Sequence, residues 1–128
     1  MQLVIAIFAA LMGLGLVGIW TMDIARNPDI DLSKGFFRAR DKDSGNVFWF
    51  HWLAEYGTGL CLLTGAAGLL LERAWASDVL LLGCGALIYT AINSLGWVVA
   101  KPGRLAYGVP MLLGAVGGLA AAWILLMG

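Results

Sequence analysis

Four long apolar runs, separated by polar breaks, set the pattern of the chain. They lie at 3–22, 47–71, 79–99 and 105–127. As helix, at 1.5 Å per residue, each is long enough to cross a hydrocarbon layer about 30 Å thick. The first carries no charge up to Trp20, an interfacial residue, and its lack of an early Lys or Arg argues for a retained helix rather than a signal peptide. The second begins VFWFHWLAEYGTGL and so places His51 and Glu55 inside an apolar stretch. The pattern predicts an all-α fold, a polytopic four-transmembrane-helix bundle that forms a single domain over 1–128.

The breaks are of two kinds. Residues 22–46 form a long polar segment with five acidic and five basic residues, and Asn27-Pro28 and Ser44-Gly45 as turn signals. A folded loop over 23–46 is expected, with Phe36 and Phe37 among Lys34, Arg38 and Arg40 lying at headgroup level; an ordinary solvated loop is the alternative. The other breaks are short: Glu72 to Trp75 makes a turn, with Ser77-Asp78 as the N-cap of the third helix, and Lys101-Pro102-Gly103-Arg104 enforces a reversal. Pro110 falls in the first turns of the fourth helix, where it costs little near the start and kinks the helix if deeper. Seven Lys and Arg residues lie in the breaks after the first and third runs, against Arg73 alone on the other side. The positive-inside rule therefore puts both termini outside the cytoplasm of a plasma or inner membrane and the long loop inside.

Composition narrows the partners. The chain is 61% hydrophobic and 12% charged, about half the charged share of an ordinary soluble domain, so the lipid bilayer is its expected surroundings. Formal charge is zero and no basic tract is present, so nucleic acid is not an expected partner. Cys61 and Cys84 sit in apolar runs without a CxxC spacing, which argues for packing rather than redox or zinc chemistry.

The 18 glycines suit helices that approach closely in lipid. Gly114 and Gly118 form a GxxxG in the fourth run, and Gly57, Cys61 and Gly65 repeat every fourth residue in the second. These ridges point to packing within the bundle or to an interface with itself or with other membrane subunits. The first functional expectation is therefore a small subunit or scaffold that oligomerises, or joins a larger membrane complex, through glycine-rich faces.

The second expectation rests on ionisable groups, which are expensive inside a membrane and mark functional sites there. On a helical wheel His51, Glu55 and Thr58 share one face. Tyr89, Asn93 and Trp97 share a face of the third run at similar depth. Asp23 and Tyr107 close the same end of the first and fourth runs. Together they outline an inner-leaflet pocket around Glu55, His51 and Asn93, suited to a small transporter or ligand-binding protein. His51, the single histidine, is also a potential axial ligand for haem or a chlorophyll-type pigment, a bis-histidine haem requiring a second chain. No metal site and no nucleophile set is discernible, so the sequence leans away from an enzyme.

Overall fold

The computed structural model describes residues 1–26, 30, 31, 33, 35, 38, 40, 41, 48–100 and 105–127, with the side chains at 30, 31, 40, 41, 48, 97, 100 and 105–107 excepted. The chain is all-α. Its four helices are α1 (Gln2–Arg26), α2 (Phe48–Leu70), α3 (Ala76–Ala100) and α4 (Leu105–Met127), and each is long and apolar enough to cross a membrane.

Two boundaries differ from the sequence expectation. α1 continues four residues beyond position 22, to Arg26, because nothing in the sequence disfavours helix before Asn27-Pro28; a residue that precedes proline disfavours the α region. α3 starts at Ala76, so Ser77 lies inside the first turn and is not its N-cap. The Ala76 and Val79 N–H groups bond the carbonyls of Arg73 and Trp75, which carries the turn at 73–75 directly into the helix.

Between α1 and α2 the backbone folds back on itself, pairing Ile30 with Asp41 and Asp31 with Arg40 in antiparallel register. Gly35 has φ +90°, a conformation that favours glycine, and its carbonyl accepts the Arg38 N–H. Phe36, Phe37, Lys34 and the 101–104 reversal lie outside the described residues.

α2 ends in a left-handed turn. The Arg73 N–H bonds the Gly68 carbonyl at 2.9 Å and the Glu72 N–H bonds that of Leu69 at 3.1 Å. This is the Schellman pattern, with Glu72 at φ 51° where glycine is usual. The following Trp75 ring lies over Gly68, where a Cβ would stand 2.7 Å from it.

Consecutive helices pack side by side: α1 on α2, α2 on α3, α3 on α4. At the α1–α2 crossing the backbones meet at two glycines. A Cβ on Gly13 would lie 2.9 Å from the Gly59 carbonyl oxygen, and one on Gly59 3.2 Å from that of Gly13. Elsewhere a glycine receives a large side chain: Gly65 takes Leu80, Gly83 takes Leu62, and Gly118 lies against Ile88. α4 closes on α1 through side chains, the Phe8 ring over Gly117 and the Met12 terminal methyl on Gly114.

Gly57 departs from the expected ridge, since its Cβ position faces open space. The buried residues of α2 show why. Glu55, Leu62 and Leu69 are seven apart, with Thr58, Gly59, Gly65 and Ala66 between them. That seven-residue spacing marks the seam along which α2 meets its neighbours, and a strict every-fourth-residue line drifts off it. Cys84 is fully buried in the α3 seam and Cys61 is half-buried; both are free thiols.

The dense core is gathered toward one end, from Ile5, Ala6 and Ala9 of α1, Leu62, Ala66 and Leu69 of α2, Leu80, Cys84 and Leu87 of α3, and Ala121 of α4. At the opposite end Trp20, Ile24 and Trp52 form a second, partly buried cluster. Outward faces are apolar along α1 (Leu3, Val4, Ile7, Leu11, Leu14) and α4 (Leu112, Leu113, Val116, Leu119).

Candidate functional site

Glu55 occupies an α2 seam position two turns before Leu62, and the same geometry that buries Leu62 buries its carboxyl: Glu55 is 2% exposed. A carboxyl in such a place needs donors. Two neighbouring helices supply them, the Trp20 side chain from α1 and the Ser94 side chain from α3. Both belong to seams. Trp20 follows Ala6 and Gly13 at seven-residue intervals, and Ser94 follows Leu80 and Leu87 in the same way. Glu55 thus ties three helices at one level.

His51 stands one turn before Glu55 on the same face, with Nε2 3.8 Å from Glu55 Oε1 and the His51 side chain 39% exposed. The Trp20 ring meets the imidazole edge-on, centroids 4.8 Å apart at 77°. Asp23, one turn beyond Trp20 along α1, lies close enough to interact electrostatically with His51. The polar groups therefore run outward in order, from the enclosed Glu55 through half-exposed His51 to Asp23 near the end of α1. Haem iron is usually bound through Nε2, and in His51 that nitrogen is directed at Glu55.

An aromatic wall flanks this line. Trp52 and Tyr56 stack with centroids 4.1 Å apart. Thr21 donates its hydroxyl hydrogen to the Val17 carbonyl at 2.6 Å, so the close contact between the Thr21 and Tyr56 hydroxyls is one in which Tyr56 donates. This bond is a second polar tie between α1 and α2, made by the residue next to Glu55.

The sequence-selected residues divide. His51 and Glu55 come together as expected. Thr58 is buried on their face, but its hydroxyl bonds back to the Ala54 carbonyl at 2.8 Å and so serves its own helix. Asn93 and Tyr89 are exposed on the outer side of α3, so they do not enclose Glu55, and Ser94, one residue on, takes the place expected of Asn93. The depth is right and the face is off by the 100° of one residue. The side chains of Trp97 and Tyr107 lie outside those described. Of the packing residues, Gly65, Gly114 and Gly118 are buried and filled by side chains of this chain, among them Leu80, Met12 and Ile88. Trp20 and Ser94 are the partners that residue-type reasoning missed; the seven-residue spacing of the seams carried the signal. Among the described residues no group of three or more His, Cys, Asp or Glu is placed to hold a metal ion.

Over residues 1–127 the sequence matches the family model described as a domain of unknown function (DUF8058), and the chain belongs to that family. No curated protein and no solved structure gives a significant match.

Proposed function

We propose that this member of the DUF8058 family is an integral membrane protein crossing the bilayer four times, and that it acts as a small proton-coupled binding or transport protein centred on Glu55 and His51. The single observation that carries the reading is the enclosure of Glu55, 2% exposed, beside a histidine that is itself open to the outside. A carboxyl is retained at such depth against a cost of several kcal/mol unless it is paired or neutral. Here it has the His51 imidazole 3.8 Å away and two hydrogen-bond donors.

The chemistry is one of proton exchange. An imidazolium and a carboxylate become an imidazole and a carboxylic acid when one proton passes from His51 to Glu55; the total charge of the pair stays zero and the enclosed carboxyl becomes neutral. His51, half-exposed and beside Asp23, is the group that trades protons with the surroundings. The Lys and Arg distribution supports a cytoplasmic side for this end of the bundle, with both termini outside.

Assembly through glycine-rich faces, the first expectation from the sequence, is here the second reading: at Gly114 and Gly118 a Cβ would meet Met12, Leu87 and Ile88 of this same chain.

The test is Glu55→Gln in the full chain reconstituted in vesicles. The amide retains an acceptor for Trp20 and Ser94, so the helical content and melting profile stay near wild type. The infrared carboxylic-acid band that responds to pH, and the pH dependence of the His51 imidazole resonances coupled to it, are expected to change. If wild type and Glu55→Gln show the same pH response at His51 and the same carboxyl bands, Glu55 is only a tie between helices and the proton-coupled reading falls.

A further inference from the structure

The two donors to the Glu55 carboxyl differ in what they can do. The Trp20 indole N–H only donates, whereas the Ser94 hydroxyl both donates and accepts. A carboxylate needs donors alone. A carboxylic acid also carries a hydrogen of its own, and an enclosed O–H without an acceptor is unfavourable. The surroundings narrow the choice of acceptor. On α2, His51 Nε2 is 3.8 Å from Glu55 Oε1, beyond hydrogen-bond length, Thr58 is bonded to the Ala54 carbonyl, and Tyr56 is bonded to Thr21 of α1. Asp23 of α1 acts on His51. α4 has no ionisable side chain between 108 and 127. α3 brings Thr90 and Ser94 to this level, both buried, while Tyr89 is exposed on its outer side. Ser94 is the acceptor already in bonding contact with the carboxyl.

A hydroxyl that turns from donor to acceptor must place its own hydrogen elsewhere. A helix offers the carbonyl one turn back. Thr21 bonds that of Val17 at 2.6 Å, Thr58 that of Ala54 at 2.8 Å and Thr90 that of Leu87 at 3.2 Å. For Ser94 the equivalent acceptor is the Thr90 carbonyl, whose oxygen has a second lone pair beside its helix bond. We infer that Ser94 is a two-way hydrogen-bond partner of Glu55, its hydroxyl reversing direction as the pair exchanges its proton. With His51 protonated and Glu55 a carboxylate, Ser94 donates to Glu55. Once the proton has passed from His51 Nε2 to a Glu55 oxygen, that O–H donates to Ser94 Oγ, and Ser94 donates to the Thr90 carbonyl. Ser94 keeps its own hydrogen throughout and only rotates about Cβ–Oγ. Trp20 donates to the carboxyl in both states. Both forms of the enclosed carboxyl are then hydrogen-bonded, and the change in α2 reaches the backbone of α3.

The inference rests on proton exchange between His51 and Glu55, and the experiment separates the two. Full-length protein in vesicles, isotope-labelled at the Glu55 carboxyl and at the Leu87 and Thr90 carbonyls, is titrated with pH by solid-state NMR. In wild type the Glu55 carboxyl and Thr90 carbonyl resonances are expected to shift together, while the Leu87 carbonyl, held by the Thr90 hydroxyl, stays fixed. Ser94→Ala should abolish the Thr90 shift and move the Glu55 carboxylic-acid infrared band to higher frequency, the mark of an acid that has lost its acceptor. Ser94→Thr, which keeps the hydroxyl, should retain the Thr90 shift and the wild-type band. Circular dichroism checks that each variant is folded, and the wild-type titration decides by itself if Ser94→Ala is not. A Glu55 carboxyl that never titrates overturns the proton-exchange reading and the inference with it. A Glu55 that titrates while the Thr90 carbonyl stays fixed leaves the reading standing and overturns the inference. So does a Thr90 shift and acid band unchanged in Ser94→Ala, or a folded Ser94→Thr that behaves as Ser94→Ala.

Discussion

Two ends of one bundle use the same helical seams and fill them differently. At one end the α2 seam holds Leu62 and Leu69, the α3 seam Leu80 and Cys84, and the α1 seam Ala6 and Gly13. At the other end the next positions of those seams are Glu55, Ser94 and Trp20. Leu62 and Glu55 are 0% and 2% exposed, so burial does not distinguish them. What differs is the kind of contact: close apolar packing at one end, a few directed hydrogen bonds at the other. Dispersion packing is non-directional and summed over many atoms, whereas the polar end depends on a few donors. The apolar end should therefore carry more of the stability and the polar end more of the chemistry.

The greater stability of the apolar end is tested most directly at Leu62. Leu62→Ala leaves a cavity in the dense end and is expected to destabilise by about 2–5 kcal/mol, measured by reversible unfolding in detergent or lipid. A loss below about 1 kcal/mol would mean the apolar end is not the stable one. Next comes Gly13→Val, whose Cβ would stand 2.9 Å from the Gly59 carbonyl oxygen. Backbone cannot rotate aside, so a cost of about 1–3 kcal/mol is expected in the same assay. At the polar end Glu55→Ala strands the Trp20 and Ser94 donors and should cost about 1–3 kcal/mol, while Glu55→Gln should cost under about 1 kcal/mol. Equal effects for Ala and Gln would show that the hydrogen bonds contribute little. The smallest effect is expected outside both ends: Glu72→Gly relieves a left-handed φ of 51° and should raise the melting temperature slightly, by about 0.5–1 kcal/mol of stability.

The four helices were legible because each apolar run is long and unbroken. Their ends were less so, since Met22 to Arg26 is polar enough to read as loop yet contains nothing that stops a helix. The site was half legible. Glu55 and His51 stood out by cost alone, because acid and imidazole in an apolar run are conspicuous. Their partners did not, because serine and tryptophan are ordinary in such runs. Asn93, the more conspicuous residue, drew attention to the wrong face of α3. The spacing from Leu80 through Leu87 to Ser94 is a purely geometric signal, and it is blind to how polar each residue is. Gly57 carries the same lesson: glycine content marks helices that pack closely, and only the seven-residue repeat separates Gly59, which touches α1, from Gly57, which touches nothing.

Among the described residues the helix contacts are not alike. Three join neighbours in sequence, while α1 and α4 meet through the side chains of Phe8 and Met12 set against Gly117 and Gly114. Sequence-local contacts close short loops and form early; the one joining the first helix to the last must await the rest. On connectivity alone, successive hairpins are expected to form first and the side-chain latch last. A latch formed after the rate-limiting step governs how quickly the bundle opens rather than how quickly it forms. Phe8→Ala is accordingly expected to speed opening of the bundle more than it slows formation, as read from unfolding and refolding rates in detergent.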